Sequence, residues 1–163
     1  MSEASYPPRL EGHPSSTPNH WLQNSPVGVK SLVSKLAEVM AEIGHVPKRG
    51  YNSFHKYNYA LEADILDAVR DKLSSRKVMV FPNLVSSASK VFGDSLITEI
   101  IMRFTFVDVE SGETLEILMP GAGTDKGDKG VYKAITGALK YFLLKTLLIP
   151  TGDDPEGDAE ADA

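Results

Sequence analysis

Leu96-Ile-Thr-Glu-Ile-Ile-Met-Arg-Phe-Thr-Phe-Val-Asp-Val109 alternates its side chains with the two-residue period of an extended chain. Leu96, Ile100, Met102, Phe104 and Phe106 share an apolar face; Ile97, Glu99, Ile101, Arg103, Thr105 and Val107 share a mixed one. The stretch reads as a long strand covered on one side. Downstream, residues 110–113 (Glu-Ser-Gly-Glu) form a turn and residues 114–119 return as a hairpin. Upstream, residues 78–85 supply a further strand. Before it, Leu61, Ile65, Val69 and Leu73 recur at helical spacing and predict a helix ending near Ser75, with Asp64, Asp67 and Asp71 on its other face. Residues 53–60 alternate aromatic and polar side chains, as a strand or an extended loop does. Val29, Leu32, Val33, Leu36, Met40 and Ile43 predict a first helix over residues 28–43, stopped by Gly44. Its apolar stripe suits either the core or a contact between subunits.

The chain beyond the hairpin, Thr124-Asp-Lys-Gly-Asp-Lys-Gly-Val-Tyr-Lys-Ala-Ile-Thr-Gly-Ala-Leu-Lys-Tyr141, predicts a long amphipathic helix ending before Pro150. Lys126, Lys129, Lys133 and Lys140 fall within an arc of about 60° at about 100° per residue. Val131, Ile135, Ala138, Leu139 and Phe142 point the other way, toward the sheet. Gly127 and Gly130 weaken the first turn, so Lys126 is expected to precede the helix. The order becomes α-β-α-β-β-β-α, an α+β single domain whose antiparallel sheet is covered by helices. A row of ammonium groups suits a polyanion; the same spacing also describes an ordinary solvated lysine face.

A second basic region is Lys48-Arg-Gly-Tyr-Asn-Ser-Phe-His-Lys-Tyr-Asn-Tyr59. No acid occurs between Gly44 and Leu61. Lys48, Arg49 and Lys56 interleave with His45, His55, Tyr51, Phe54, Tyr57 and Tyr59. Cations that neutralise phosphates, mixed with rings that stack on unpaired bases, are what single-stranded nucleic acid requires. Alternate rings filling a core beside a solvated basic loop fit the same pattern.

The whole chain of 163 residues has a formal charge of −5, but six acids and no base follow residue 150. Residues 1–150 carry 17 bases and 16 acids, so anion binding must come from clustering rather than bulk charge. Residues 1–26 hold five prolines among Ser, His and Asn and read as a disordered arm, with Trp21 and Leu22 its candidates for docking. Residues 27–150 form the domain, and residues 151–163 an acidic flexible tail. No apolar run is long enough for a membrane span, and no secretory signal pattern opens the chain. With no cysteine, a reducing compartment is the natural expectation.

Gly121-Ala-Gly-Thr-Asp-Lys-Gly-Asp-Lys-Gly130 lacks both phosphate-loop patterns and reads as a flexible, anion-friendly loop at a helix N-terminus. Asp125 and Asp128 are expected to cap that helix rather than to hold a metal. The histidines have no metal-ligand spacing, and no nucleophile or carboxylate arrangement points to catalysis. No cofactor, no metal and no enzymatic activity are expected.

Four blocks together carry a resemblance: Asn52-Ser-Phe-His-Lys-Tyr-Asn-Tyr59; the Ser111-Gly-Glu113 hairpin; Thr124-Asp-Lys-x-Asp-Lys-x-x-Tyr-Lys-Ala-x-Thr-x-Ala-x-Lys-Tyr141; and Pro150-Thr-Gly-Asp-Asp-Pro155. Over about residues 28–155 the chain resembles the Erf (essential recombination function) family of phage and prophage single-strand DNA annealing proteins. The resemblance implies ATP-independent annealing of complementary strands in recombination and repair. It further implies assembly as a homo-oligomeric ring or filament, a β-β-β-α core shared distantly with other annealing proteins, and the bacterial host cytoplasm. A replication or recombination protein of host or phage is a possible further partner. Read with charge and exposure, the DNA-binding candidates are Lys48, Arg49, Tyr51, His55, Lys56, Tyr57, Tyr59, Arg103, Lys126, Lys129, Lys133 and Lys140. Passive single-strand binding without annealing uses the same residues and is the alternative.

Overall fold

The computed structural model describes residues 31–53 and 56–152. In chain order these form α1 (Leu32–Glu42), β1 (Gly50–Asn52), β2 (Tyr57–Tyr59), α2 (Glu62–Ser75), β3 (Val78–Phe92), β4 (Ser95–Asp108), β5 (Thr114–Asp125) and α3 (Gly130–Thr146). The expected α+β class holds. The expected strand or extended loop over residues 53–60 is instead one arm of a short antiparallel hairpin, because Gly50–Asn52 pairs with Tyr57–Tyr59. The proline-rich arm and most of the acidic tail lie outside the described residues.

The main sheet is antiparallel in the order β3-β4-β5. β4 sits in the middle, and its alternation decides the two faces. Ile100, Met102, Phe104 and Phe106 are buried, as expected, and Thr98 joins them. α3 lies across this inner face. Phe142 stacks on Phe104 with centroids 4.3 Å apart and tilts over Phe106 at 5.1 Å. Each such buried ring contributes about 1.5–3 kcal/mol of hydrophobic stabilisation.

β3 runs seven residues past its expected end at Val85. A bulge between Leu84 and Ser86 shifts the register there, so the inward side chains change from even to odd positions. The alternation therefore breaks at Val85 although the strand continues. β5 likewise passes its expected end at Met119 and runs to Asp125. Gly121 and Gly123 are strand residues on the inner face, not a flexible loop. A methyl group at Gly121 would collide with the Ala134 carbonyl oxygen, and one at Gly123 with the backbone of Gly130 and Ala134. Backbone lies on backbone along this seam, completed by the buried Ala134 and Ala138.

α1 starts at Ser31, whose hydroxyl accepts from the Ser34 amide at 3.3 Å. Its buried stripe is Leu32, Lys35, Leu36 and Val39, while Val33 and Met40 are exposed. The helix is thus rotated from the orientation its apolar residues alone predict. The cause is Lys35, whose ammonium reaches the fully buried Asp108 at 2.9 Å and Glu110 at 2.6 Å. The Leu32 amide donates to Glu113, and Arg76 at the end of α2 pairs with Glu38 and Glu42. Most of the stripe is spent on the core, and Val33 and Met40 remain on the outer side of α1.

Candidate nucleic-acid interface

α3 begins at Gly130, with Lys129 as its N-cap and no side chain capping it. Lys126 precedes the helix, as the glycines foretell. Asp125 does not cap α3; its carboxylate accepts from the Gly127 amide at 2.8 Å and closes the turn ahead of the helix. It also takes the Lys133 ammonium at 2.5 Å, which in turn donates to the Thr124 carbonyl at 3.0 Å. The Lys133 contact, then the Gly127 N–H, hold the Asp125 carboxyl below its ordinary value. Lys133 is thereby fixed in place while its side chain stays half exposed.

Asp128, Lys129, Tyr132, Lys133 and Thr136 line one shallow depression on the outward side of α3. Tyr132 is 67% exposed, and Tyr141 near the other end of the helix is 57% exposed. Neither tyrosine stands among the sequence-based candidates. The signal for Tyr132 was nonetheless present: it sits three residues after Lys129 and four before Thr136, the spacing of one helix face.

The β1–β2 hairpin meets α3 at Tyr59. Its ring lies over Gly50, where a side chain would strike it, and the Lys140 ammonium stands 4.8 Å from the ring centroid. Partial burial lowers the Lys140 pKa, against the pull of the Glu62 charge. Thr136 reaches the Glu62 carboxylate at 3.4 Å. Tyr57 packs edge-on to Tyr59 with centroids 6.2 Å apart, and Tyr51 and Tyr57 remain exposed. Lys56 occupies the hairpin turn with φ 56°. Arg49 pairs with Asp64 of α2 at 3.7 Å, so one acid of the α2 face that carries Asp64, Asp67 and Asp71 reaches the hairpin. Lys48 is half-buried in the loop leading to β1. His55 lies outside the described residues.

The structure therefore brings Lys129, Lys133, Lys140 and Tyr59 onto one surface, with Tyr57 and Lys56 continuing it along the hairpin. Arg103 stands apart. It occupies the sheet face turned away from α3 and pairs with Glu116 at 3.5 Å, because the β4 alternation that sends Phe104 inward sends Arg103 outward. Among the described residues, Lys56, Lys126 and Lys129 have no ion-pair partner, and no group of three or more potential ligands is placed to hold a metal ion. No described helix is long and apolar enough to cross a membrane.

Fold and surface define a small α+β domain with a β-β-β-α core and a joint lysine and tyrosine face. The chain belongs to the ERF superfamily, whose family model matches residues 32–163. Membership implies phage-type single-strand annealing and recombination, with single-stranded DNA as the partner; members are annealing proteins rather than catalysts. None of the curated proteins compared with the chain matches it.

Proposed function

We propose that this chain binds single-stranded DNA without sequence preference and anneals complementary strands without ATP. The observation that carries the reading is the continuous surface from Lys129 through Tyr132, Lys133 and Thr136 to Lys140 and Tyr59. From Lys129 to Lys140 it runs about 16 Å along the helix axis, the length of about five nucleotides at ~3.4 Å each. Lysines on one side take phosphates, and Tyr132, Tyr57 and Tyr51 offer rings to bases. The surface is open, so bases held there keep their pairing edges accessible to a second strand. Lys48, Arg49 and Lys56 extend the basic side along the hairpin. Arg103, on the far face, does not line this path.

Assembly into a ring or filament belongs to the same proposal. It multiplies weak contacts along one strand and raises affinity without new chemistry.

The deciding experiment mixes two labelled complementary oligonucleotides without ATP, with and without the protein. Accelerated annealing that fades at high salt supports the proposal. Binding without acceleration gives the passive reading, and no binding at low salt rejects both. Within that assay Lys129→Ala with Lys133→Ala is expected to weaken binding and to flatten its salt dependence by a slope of about 1.4. Tyr132→Ala is expected to cost about 1–3 kcal/mol with the salt slope unchanged. If the double variant keeps affinity and slope while folded, the α3 face is not the DNA surface.

A further inference from the structure

β3 is an edge strand, and its inner face is only partly covered. α3 lies over β4 and β5, while α2 reaches β3 near its start. Between them runs a trough of about 340 Å³ lined by Leu66, Val69 and Leu73 of α2, Val80 and Pro82 of β3, and Leu139 of α3. Arg70 is the one charged residue in its lining. The rim is open: Leu66 is 38% exposed, and Leu84, the next inward residue of β3, is 45% exposed. Such a lining suits an apolar side chain rather than a phosphate, and the volume lies within the ~300–1,000 Å³ typical of clefts that enclose one.

We propose that the trough is the seat of Trp21 and Leu22 from the chain's own N-terminal arm. The family match begins at residue 32 and does not cover the arm. Within its proline, serine and asparagine background, Trp21-Leu22 is the one place where two large apolar side chains stand together. The route is short. The Leu32 amide is held by Glu113, the Glu113 carbonyl accepts from the Asp108 amide, and Asp108 pairs across the sheet with Val78, which borders the trough. The first step, through the Glu113 side chain, is about 9 Å and the other two about 5 Å each, about 19 Å in all. The eight residues 23–30 span up to about 26 Å when extended. The tether holds the pair at a high effective concentration near the trough, so modest apolar burial suffices to seat it. Seated there, the arm straps α2 to the open edge of the sheet.

Trp21 is the sole tryptophan, so its fluorescence reports this contact in the full chain. The expected result is emission shifted to the blue of the denatured chain, several-fold protection from acrylamide quenching, and no dependence on protein concentration. Leu66→Lys and, separately, Leu84→Lys place a charge on the rim, where a folded chain tolerates it. Either is expected to return emission and quenching to the denatured level with unchanged far-ultraviolet circular dichroism. Met79→Lys, on the opposite sheet face, is expected to leave Trp21 as in the unmodified chain. Solvent-like emission in the unmodified chain overturns the proposal, as does a blue shift that survives both rim variants. A shift lost on dilution also overturns it, by giving the trough to a second copy. None of these readouts requires DNA, so the outcome is separable from that of the annealing assay.

Discussion

Leu148 leaves α3 with φ 48°, a left-handed conformation that costs an L-residue roughly 1 kcal/mol. The Ile149 amide reaches back to the Leu144 carbonyl at 2.9 Å, closing the helix as a glycine usually does. The Leu148 side chain is 71% exposed and little burial is lost by removing it. Leu148→Gly is therefore expected to stabilise the domain by about 0.5–1 kcal/mol, seen as a higher midpoint in chemical denaturation. Gly121 gives the opposite case. Gly121→Ala forces β5 and α3 apart at the Ala134 carbonyl and is expected to destabilise by about 1–3 kcal/mol. An unchanged midpoint would show that the seam can open at no cost. At this scale the sequence is half legible. The lysine spacing placed Lys129 and Lys133 on one face, yet nothing near Lys35 announced its burial, because its partner Asp108 is 73 residues away in the chain.

At the scale of elements, α1 is held to the sheet by that pair. Burial alone would lower the Lys35 pKa, but the contacts with Asp108 and Glu110 outweigh it and raise the value above 10.5. Burial alone would raise the Asp108 carboxyl, but Lys35 and the Glu110 N–H outweigh it and lower the value below 3.8. Asp108 thus contributes stability that is present above pH 3.8 and lost as pH falls through its depressed value. Lys35 contributes stability that is full below pH 10.5 and lost as pH rises through its raised value. Lys35→Met leaves a buried carboxylate without its cation and is expected to cost about 3–5 kcal/mol at neutral pH. The deficit should shrink toward acid pH, where Asp108 in the variant takes up a proton. Denaturation midpoints across a pH series check both limbs, and a pH-independent deficit would point to lost packing instead. Elements read by simple alternation were legible only up to an irregularity. The bulge at Val85 hid the second half of β3, and Gly121 and Gly123 looked like a loop because their role, close approach to α3, leaves no side chain to read.

For the whole molecule, the sheet presents a second face with no described element over it. Met79 and Phe81 are each 50% exposed there, Leu118 is 59% exposed, and Ile97, Ile101 and Val107 are half-buried among them. We propose this apolar face as a contact surface for the ring or filament. Phe81→Glu with Leu118→Lys is expected to lower the assembled mass in light scattering while the fold is kept. A monomeric mass for the unmodified chain, with and without DNA, would reject assembly altogether. The seam between α3 and β5 bears on such an assembly in mechanical terms. On the proposed reading, a DNA strand drawn across Lys129 and Lys133 pulls on the first turns of a helix whose backbone at Gly130 and Ala134 rests directly on β5. Under that proposal, tension on α3 passes through its backbone into β5 and across the hydrogen-bonded ladder to β4, with no side chain at Gly121 or Gly123 to yield between them.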